Sequence, residues 1–214
     1  MKIKVCGMRN QSNIEELVKL KPDYIGFIFY PKSQRFIGER IPGEVQALIP
    51  VYIQKVGVFV DEPFDDLLCK FRSNQLDMVQ LHGNELPGYC QRLKNLDIPV
   101  IKVFGISPEF DFGTVKPYNE FCDYYLFDTA SGQYGGTGTK FDWNKLNQYQ
   151  EDKPFFLSGG IQFTDLELIG GIEHSKLHGI DVNSGFETEP GVKDIPKLKS
   201  LIGNVRNPQN RNIV

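Results

Sequence analysis

The chain has 214 residues, 40% hydrophobic and 24% charged, with a formal net charge of −3. That balance excludes a disordered chain, and the length allows one large domain whose core needs no disulfide staples. Slight acidity without a basic block argues against nucleic acid or a membrane surface as partner. No apolar run approaches the ~18 residues of a membrane span. The opening residues Met1-Lys2-Ile3-Lys4-Val5-Cys6 alternate like a strand and do not resemble a secretory leader. Four cysteines (Cys6, Cys69, Cys90, Cys122) contain no CxxC pair, so zinc is not expected, and a reducing cytoplasm is the expected location. Glycine is in excess, at 21 residues, and several glycines directly follow apolar runs.

In chain order, strand-like runs fall at Ile3–Cys6, Tyr24–Phe29, Val56–Val60, Met78–Leu81, Val100–Phe104, Tyr124–Phe127, Phe155–Leu157 and Ile180–Val182. Helical patterns lie between them. Ser12-Asn13 offers an N-cap ahead of Ile14, Leu17, Val18 and Leu20. Pro63 opens a segment with Phe64, Leu67, Leu68 and Phe71 on one side. Glu85 to Leu96 carries Leu86, Leu93 and Leu96 at helical spacing, and Lys193 to Ile202 carries Ile195, Leu198, Leu201 and Ile202. Cys69, Cys90 and Cys122 read as packing residues, and Trp143 as packing against the sheet.

Apolar strands alternating with helices imply an α/β chain with a covered parallel sheet. Eight strand–helix units predict a (β/α)8 TIM barrel with a short extra helix after the eighth strand. An open doubly wound sheet is the competing architecture, but Cys6-Gly7-Met8-Arg9 lacks the GxGxxG fingerprint after the first strand. The barrel is expected to span residues 1–203 as a single domain, with a polar tail at 204–214.

Barrel chemistry resides at the C-terminal ends of the strands. Those ends bring Cys6, Arg35, His82 and Asp128, then the glycine-rich stretch Gly132–Gly138, then Ser158-Gly159-Gly160 and Ser184-Gly185. Glycines after the seventh and eighth strands let backbone N–H groups approach an anion, which suggests a phosphate site and a phosphosugar ligand. Each of these residues also has a structural reading. Cys6 could be buried packing, Asp128 a cap, Arg35 a solvated charge, His82 a hydrogen-bonded structural group, and a lone glycine a simple turn.

The motifs Lys4-Val5-Cys6-Gly7-Met8, Ser33-Gln34-Arg35-Phe36-Ile37, Val79-Gln80-Leu81-His82-Gly83 and Phe127-Asp128-Thr129 decide among these readings. With them stand Gly135-Gly136-Thr137-Gly138-Thr139-Lys140-Phe141-Asp142-Trp143, Leu157-Ser158-Gly159-Gly160-Ile161 and Gly179-Ile180-Asp181-Val182-Asn183-Ser184-Gly185-Phe186-Glu187. In this order, and over nearly the whole chain, the sequence resembles the phosphoribosylanthranilate isomerase family of tryptophan biosynthesis. The resemblance implies a cofactor-free, metal-free Amadori rearrangement of a small phosphosugar. It makes Cys6 the general base and Asp128 the general acid, with Arg35 on the anthranilate carboxylate. His82, Gly136, Gly159, Gly160, Ser184 and Gly185 become further substrate contacts. These roles require a lowered thiol pKa at Cys6 and a raised carboxyl pKa at Asp128. A monomer is expected, with a homodimer as the alternative. Two other functions remain to be separated. One is the related aminoimidazole ribotide isomerase, which resembles a duplicated half-barrel and uses an aspartate where Cys6 stands. The other is a barrel that only binds.

Overall fold

Strand propensity and buried spacing place eight strands in the computed structural model, which describes residues 1–130 and 140–206. They are β1 (Lys2–Val5), β2 (Tyr24–Ile28), β3 (Gln54–Phe59), β4 (Met78–Leu81), β5 (Val100–Ile106), β6 (Tyr124–Thr129), β7 (Phe155–Leu157) and β8 (Leu177–Val182). All pair in parallel and in sequence order, and β8 closes on β1 through registers such as Lys4 with Asp181. The expected TIM barrel is therefore present, with strand ends within a few residues of their expected positions.

Alternation along each strand divides the side chains into two sets. Ile3, Val5, Ile25, Phe27, Val79, Leu81, Tyr125 and Phe127 face outward and join the core shared with the helices. Tyr24, Val56, Met78, Ile101, Val103, Leu126 and Phe156 fill the barrel's inside as a separate apolar plug. Above this plug the inward positions turn polar: Lys4, Gln80 and Asp181 are buried there.

The covering layer is less regular than eight helices. Helices α1 (Gln11–Lys19), α2 (Gly43–Leu48), α3 (Phe64–Ser73) and α4 (Pro87–Lys94) follow the first four strands. After β5 and β6 the chain forms 3₁₀ turns, Phe112–Tyr118 and Trp143–Gln148, and Pro117 removes an N–H that an α-helix would need in the first of them. α5 (Leu166–Gly170) and α6 (Ile195–Arg206) complete the layer.

Several local expectations need correction. Asn10, not Ser12 or Asn13, caps α1, accepting the Asn13 N–H at 3.0 Å. Asn13 is buried instead and bonds both backbone groups of Lys193, at 2.7 and 2.9 Å. Leu86 and Leu96 are 72% and 45% exposed, because α4 turns Cys90 and Leu93 inward. Cys69 is exposed, whereas Cys90 and Cys122 are buried. Trp143 packs against the core as expected. The extra helix after β8 is a single 3₁₀ turn, Ser184–Phe186, and it leads into an unanticipated antiparallel hairpin, β9 (Glu187–Glu189) with β10 (Val192–Lys193). α6 buries Val205 and runs to Arg206, so the boundary drawn at 203/204 falls inside a helix. No helix among the described residues is long and apolar enough to cross a membrane.

Candidate active site

A cavity of about 260 Å³ opens at the C-terminal ends of the strands. Cys6, Arg35, His82, Asp128, Gly159, Gly160, Ser184 and Gly185 all line it. Gly136 lies outside the described residues, as does the rest of 131–139.

Cys6 follows β1 and is fixed by its N–H, which donates to Val182 O at 2.9 Å. Its sulfur lies over Gly26, where a Cβ would approach within 2.8 Å of Sγ, so β2 needs a residue without a side chain at that point. Burial pushes the thiol pKa up and the Asp181 charge adds to this, while the nearby Lys4 and Lys193 ammonium groups pull it down. The lowered thiol expected from the sequence is therefore not found: desolvation outweighs the two cations.

Asp128 sits near the end of β6, with Oδ1 accepting the Thr129 N–H at 2.8 Å. Burial pushes its carboxyl up to about 6, with the Asp181 charge adding to the effect against Lys4 and the Thr129 bond. This meets the requirement placed on a general acid. Gly159, at φ +90°, presses against the same carboxyl, and a Cβ there would lie 2.4 Å from Thr129 Oγ1 and 2.9 Å from Asp128 Oδ1. Only glycine combines that backbone conformation with that approach.

His82 follows β4. Burial first, then Lys102 and Lys4, lowers its pKa to about 4, so it is a neutral imidazole at pH 7. The Gln80 amide lies 3.3 Å from Nδ1. With Gln80 as donor the ring proton is on Nε2, which faces Asp128 Oδ2 at 3.6 Å. That distance is longer than a hydrogen bond.

Arg35 lines the cavity but is not a free guanidinium. Its Nε lies 2.9 and 3.0 Å from the two Glu187 oxygens, and Nη2 lies 2.6 Å from Oε2. Glu187 also accepts from Lys193 at 2.6 Å and from the Gly191 N–H at 3.0 Å. Despite burial, these donors hold Glu187 below the usual carboxylate range. Arg35 is thus braced along one edge, through Nε and Nη2, by the β9–β10 hairpin.

The sequence reading assigned no role to Lys4, Asp181 or Glu187. Lys4 Nζ bonds Asp181 Oδ2 at 3.0 Å, with both side chains buried. Among the described residues, no group of histidine, cysteine or carboxylate side chains is arranged to hold a metal.

Comparison with known proteins places the chain in a family. The family model described as N-(5'-phosphoribosyl)anthranilate isomerase matches residues 3–204. The chain belongs to the phosphoribosylanthranilate isomerase family. A relative of that name from Parabacteroides distasonis is 46% identical, over 97% of this chain and 95% of its own length. One from Phocaeicola vulgatus is 41% identical, over 96% and 98%. The crystal structure of the Thermotoga maritima phosphoribosylanthranilate isomerase superposes with a TM-score of 0.82 at 33% identity, covering 97% of this chain and 99% of that one. A solved structure of a phosphoribosylanthranilate isomerase in complex with reduced 1-(o-carboxyphenylamino)-1-deoxyribulose 5-phosphate aligns at 32% identity, with a TM-score of 0.81 over 97% and 99% of the two chains.

Proposed function

We propose that this chain converts N-(5'-phosphoribosyl)anthranilate to 1-(2-carboxyphenylamino)-1-deoxyribulose 5-phosphate, as an isomerase of tryptophan biosynthesis, with Cys6 as base and Asp128 as acid. The observation that carries the assignment is the shared cavity, in which a thiol stands among cations and a carboxyl is held near pKa 6. Protonated Asp128 donates to the ring oxygen as the C1–O bond breaks, and the sugar opens to a protonated Schiff base. Cys6 thiolate then removes the C2 proton to give an enolamine. The enolamine tautomerises to the ketone by a net shift of one proton from the C2 oxygen to C1. The proton gained by Cys6 balances the one lost by Asp128, so no cofactor enters.

Because the thiol titrates above the carboxyl, the dominant neutral-pH form is thiol plus carboxylate. The reactive form, thiolate plus carboxylic acid, is its minor tautomer. The two forms hold the same number of protons, so their ratio does not change with pH. The Nη1 side of Arg35 suits the anthranilate carboxylate, and the Nε2–H of neutral His82 can donate to substrate or to Asp128. Gly159, Gly160, Ser184 and Gly185 form the phosphate end. The glycine stretch containing Gly136 is assigned to the same site from its motif.

The barrel with its last helix is proposed as one domain, with the polar residues after Arg206 as its tail. A reducing cytoplasm suits an enzyme that needs Cys6 as a free thiol. A monomer is proposed, with a homodimer as the alternative. The Thermotoga maritima relative is a dimer from which monomers were generated, so sedimentation should be measured. The deciding assay follows loss of phosphoribosylanthranilate fluorescence. Turnover is expected, and its absence in the folded wild type would overturn the assignment.

A further inference from the structure

The cavity floor contains a carboxyl group that the reaction scheme above does not use. Asp181 projects inward from β8 opposite Lys4 of β1, one inward position below Cys6, and it lines the cavity. Its Oδ2 is held by Lys4 at 3.0 Å. Its Oδ1 is buried and finds no hydrogen-bond partner among the described residues. A buried carboxylate oxygen without a donor is unfavourable, and such groups are rare in folded proteins. Gln80 Oε1 and Trp143 Nε1 are also orphaned, but both are neutral, and Trp143 does not line the cavity.

The neighbours define what Oδ1 meets. It lines the same cavity as Cys6 and Asp128, and its charge pushes the pKa of both upward. It also precedes, by two residues, the Asn183-Ser184-Gly185 turn at the proposed phosphate end. Any substrate with C2 at Cys6 and its phosphate at that turn presents sugar hydroxyls to this floor. A carboxylate there accepts a hydrogen bond and cannot donate one.

We propose that Asp181 is a further catalytic residue whose Oδ1 accepts a hydrogen bond from the C2 hydroxyl of the opened sugar. The inference rests on the isomerase reading of the site. The bond fixes rotation about C1–C2, so that the C2–H points at Cys6 Sγ. It also strengthens during reaction. As C2 loses its proton the alcohol becomes an enol, a more acidic donor, and a fixed carboxylate binds it more tightly than it binds the ground state. Asp181 takes no proton in this step, so the balance set by Cys6 and Asp128 is unchanged. Burial pushes the Asp181 carboxyl pKa up and Lys4 pulls against it; Lys4 also anchors one oxygen, leaving the other to receive the hydroxyl.

The test uses full-length protein and two probes, the C2 alcohol made by borohydride reduction of the product and its 2-deoxy counterpart. Wild type should bind the alcohol about tenfold or more tightly than the deoxy compound, the worth of one hydrogen bond to a charged group. In Asp181→Ala the preference should shrink to within about threefold, and kcat should fall roughly 10²-fold, because the lost bond is one that strengthens in the transition state. If Asp181→Ala does not fold, Asp181→Asn decides, with a reduced preference and a lower kcat expected. A purely structural role, acting through Lys4 on the thiol, would shift the pH profile and leave the hydroxyl preference intact. An intact preference in the folded variant overturns the proposal. Failure of wild type to turn over phosphoribosylanthranilate overturns the isomerase reading instead, so the two failures are distinct.

Discussion

Two buried lysine–carboxylate pairs flank the barrel wall, and they differ in how completely they are satisfied. Outside the wall, Lys102 bonds Glu85 at 2.9 Å, Gly83 O at 2.7 Å and Leu81 O at 3.4 Å. Glu85 in turn receives the Asp61 and Gly83 N–H groups, so both of its oxygens are used. Inside the wall, Lys4 and Asp181 share one bond, and among the described residues one carboxylate oxygen is left over. The outer pair fastens the loop that carries His82. The inner pair keeps an acceptor in reserve beside Cys6. Burial and pairing alone do not separate architecture from chemistry, and the unused acceptor does.

The largest effects should come from the inner side. Cys6→Ser and Asp128→Asn are each expected to lower kcat by ~10²–10⁴. Either variant retaining a tenth of wild-type kcat would remove its residue from the acid–base scheme.

Breaking the outer pair should act on stability instead. Lys102→Met leaves Glu85 buried without its cation, a loss of about 3–5 kcal/mol for a buried pair. Denaturant melts should show this, while kcat per folded molecule changes by less than about tenfold. A large kcat defect in folded Lys102→Met would merge the two pairs into one function.

Gly26→Ala probes the inner side without touching a charge. The added methyl would lie 2.8 Å from Cys6 Sγ and 3.0 Å from Cys6 Cα, so the base must move. A displacement of that order is worth up to ~10² in kcat, and an unchanged kcat would show that the sulfur's position is not critical.

The pH dependence follows from Asp128 at about 6 and a thiol above its usual value. The reactive tautomer belongs to the singly protonated pair. Activity, as kcat/KM, should therefore be flat at neutral pH and fall about tenfold per unit below pH 6. Stability runs the other way. The folded carboxyl binds its proton more tightly than the unfolded one, whose value is near 3.8, so stability declines as pH rises from about 4 to about 6. The loss is about 1–3 kcal/mol at most, given partial solvent access. Asp128→Asn should remove that slope and be more stable than wild type at pH 7.

The smallest effect is expected at the cavity rim. Arg35→Ala should raise KM roughly tenfold with little change in kcat, since a bond present throughout the reaction is uniform binding. An unchanged KM would reject the carboxylate contact.

How much of this was legible in the sequence depended on which forces set each feature. The strands were readable because parallel strands buried on both faces are apolar runs, and Met78–Leu81 and Phe155–Leu157 match their expected limits. Lys4 was not readable as a site residue. In Lys2-Ile3-Lys4-Val5 the alternation suggests a lysine facing solvent, but in a closed barrel the alternate face is the interior. The cap of α1 was misplaced because Asn10, Ser12 and Asn13 are all good caps, and the long-range bonds of Asn13 to Lys193 decide among them. The brace on Arg35 depends on Glu187, 152 positions away, and no local pattern reveals it. The Cys6 titration was misjudged because nearby cations can be expected from sequence but the degree of desolvation cannot.

The Asn13 amide, clasping the backbone of Lys193 across 180 positions, has a consequence for how the molecule is made. It lies on the seam where the first strand meets the last. Cys6 is synthesised near the start of the chain, whereas Asp181 and Ser184 come near its end, so no ribosome-bound fragment short of the eighth strand contains the cavity. Closing the seam and completing the active site are one event, and the first turnover of a nascent chain marks the moment its barrel shuts.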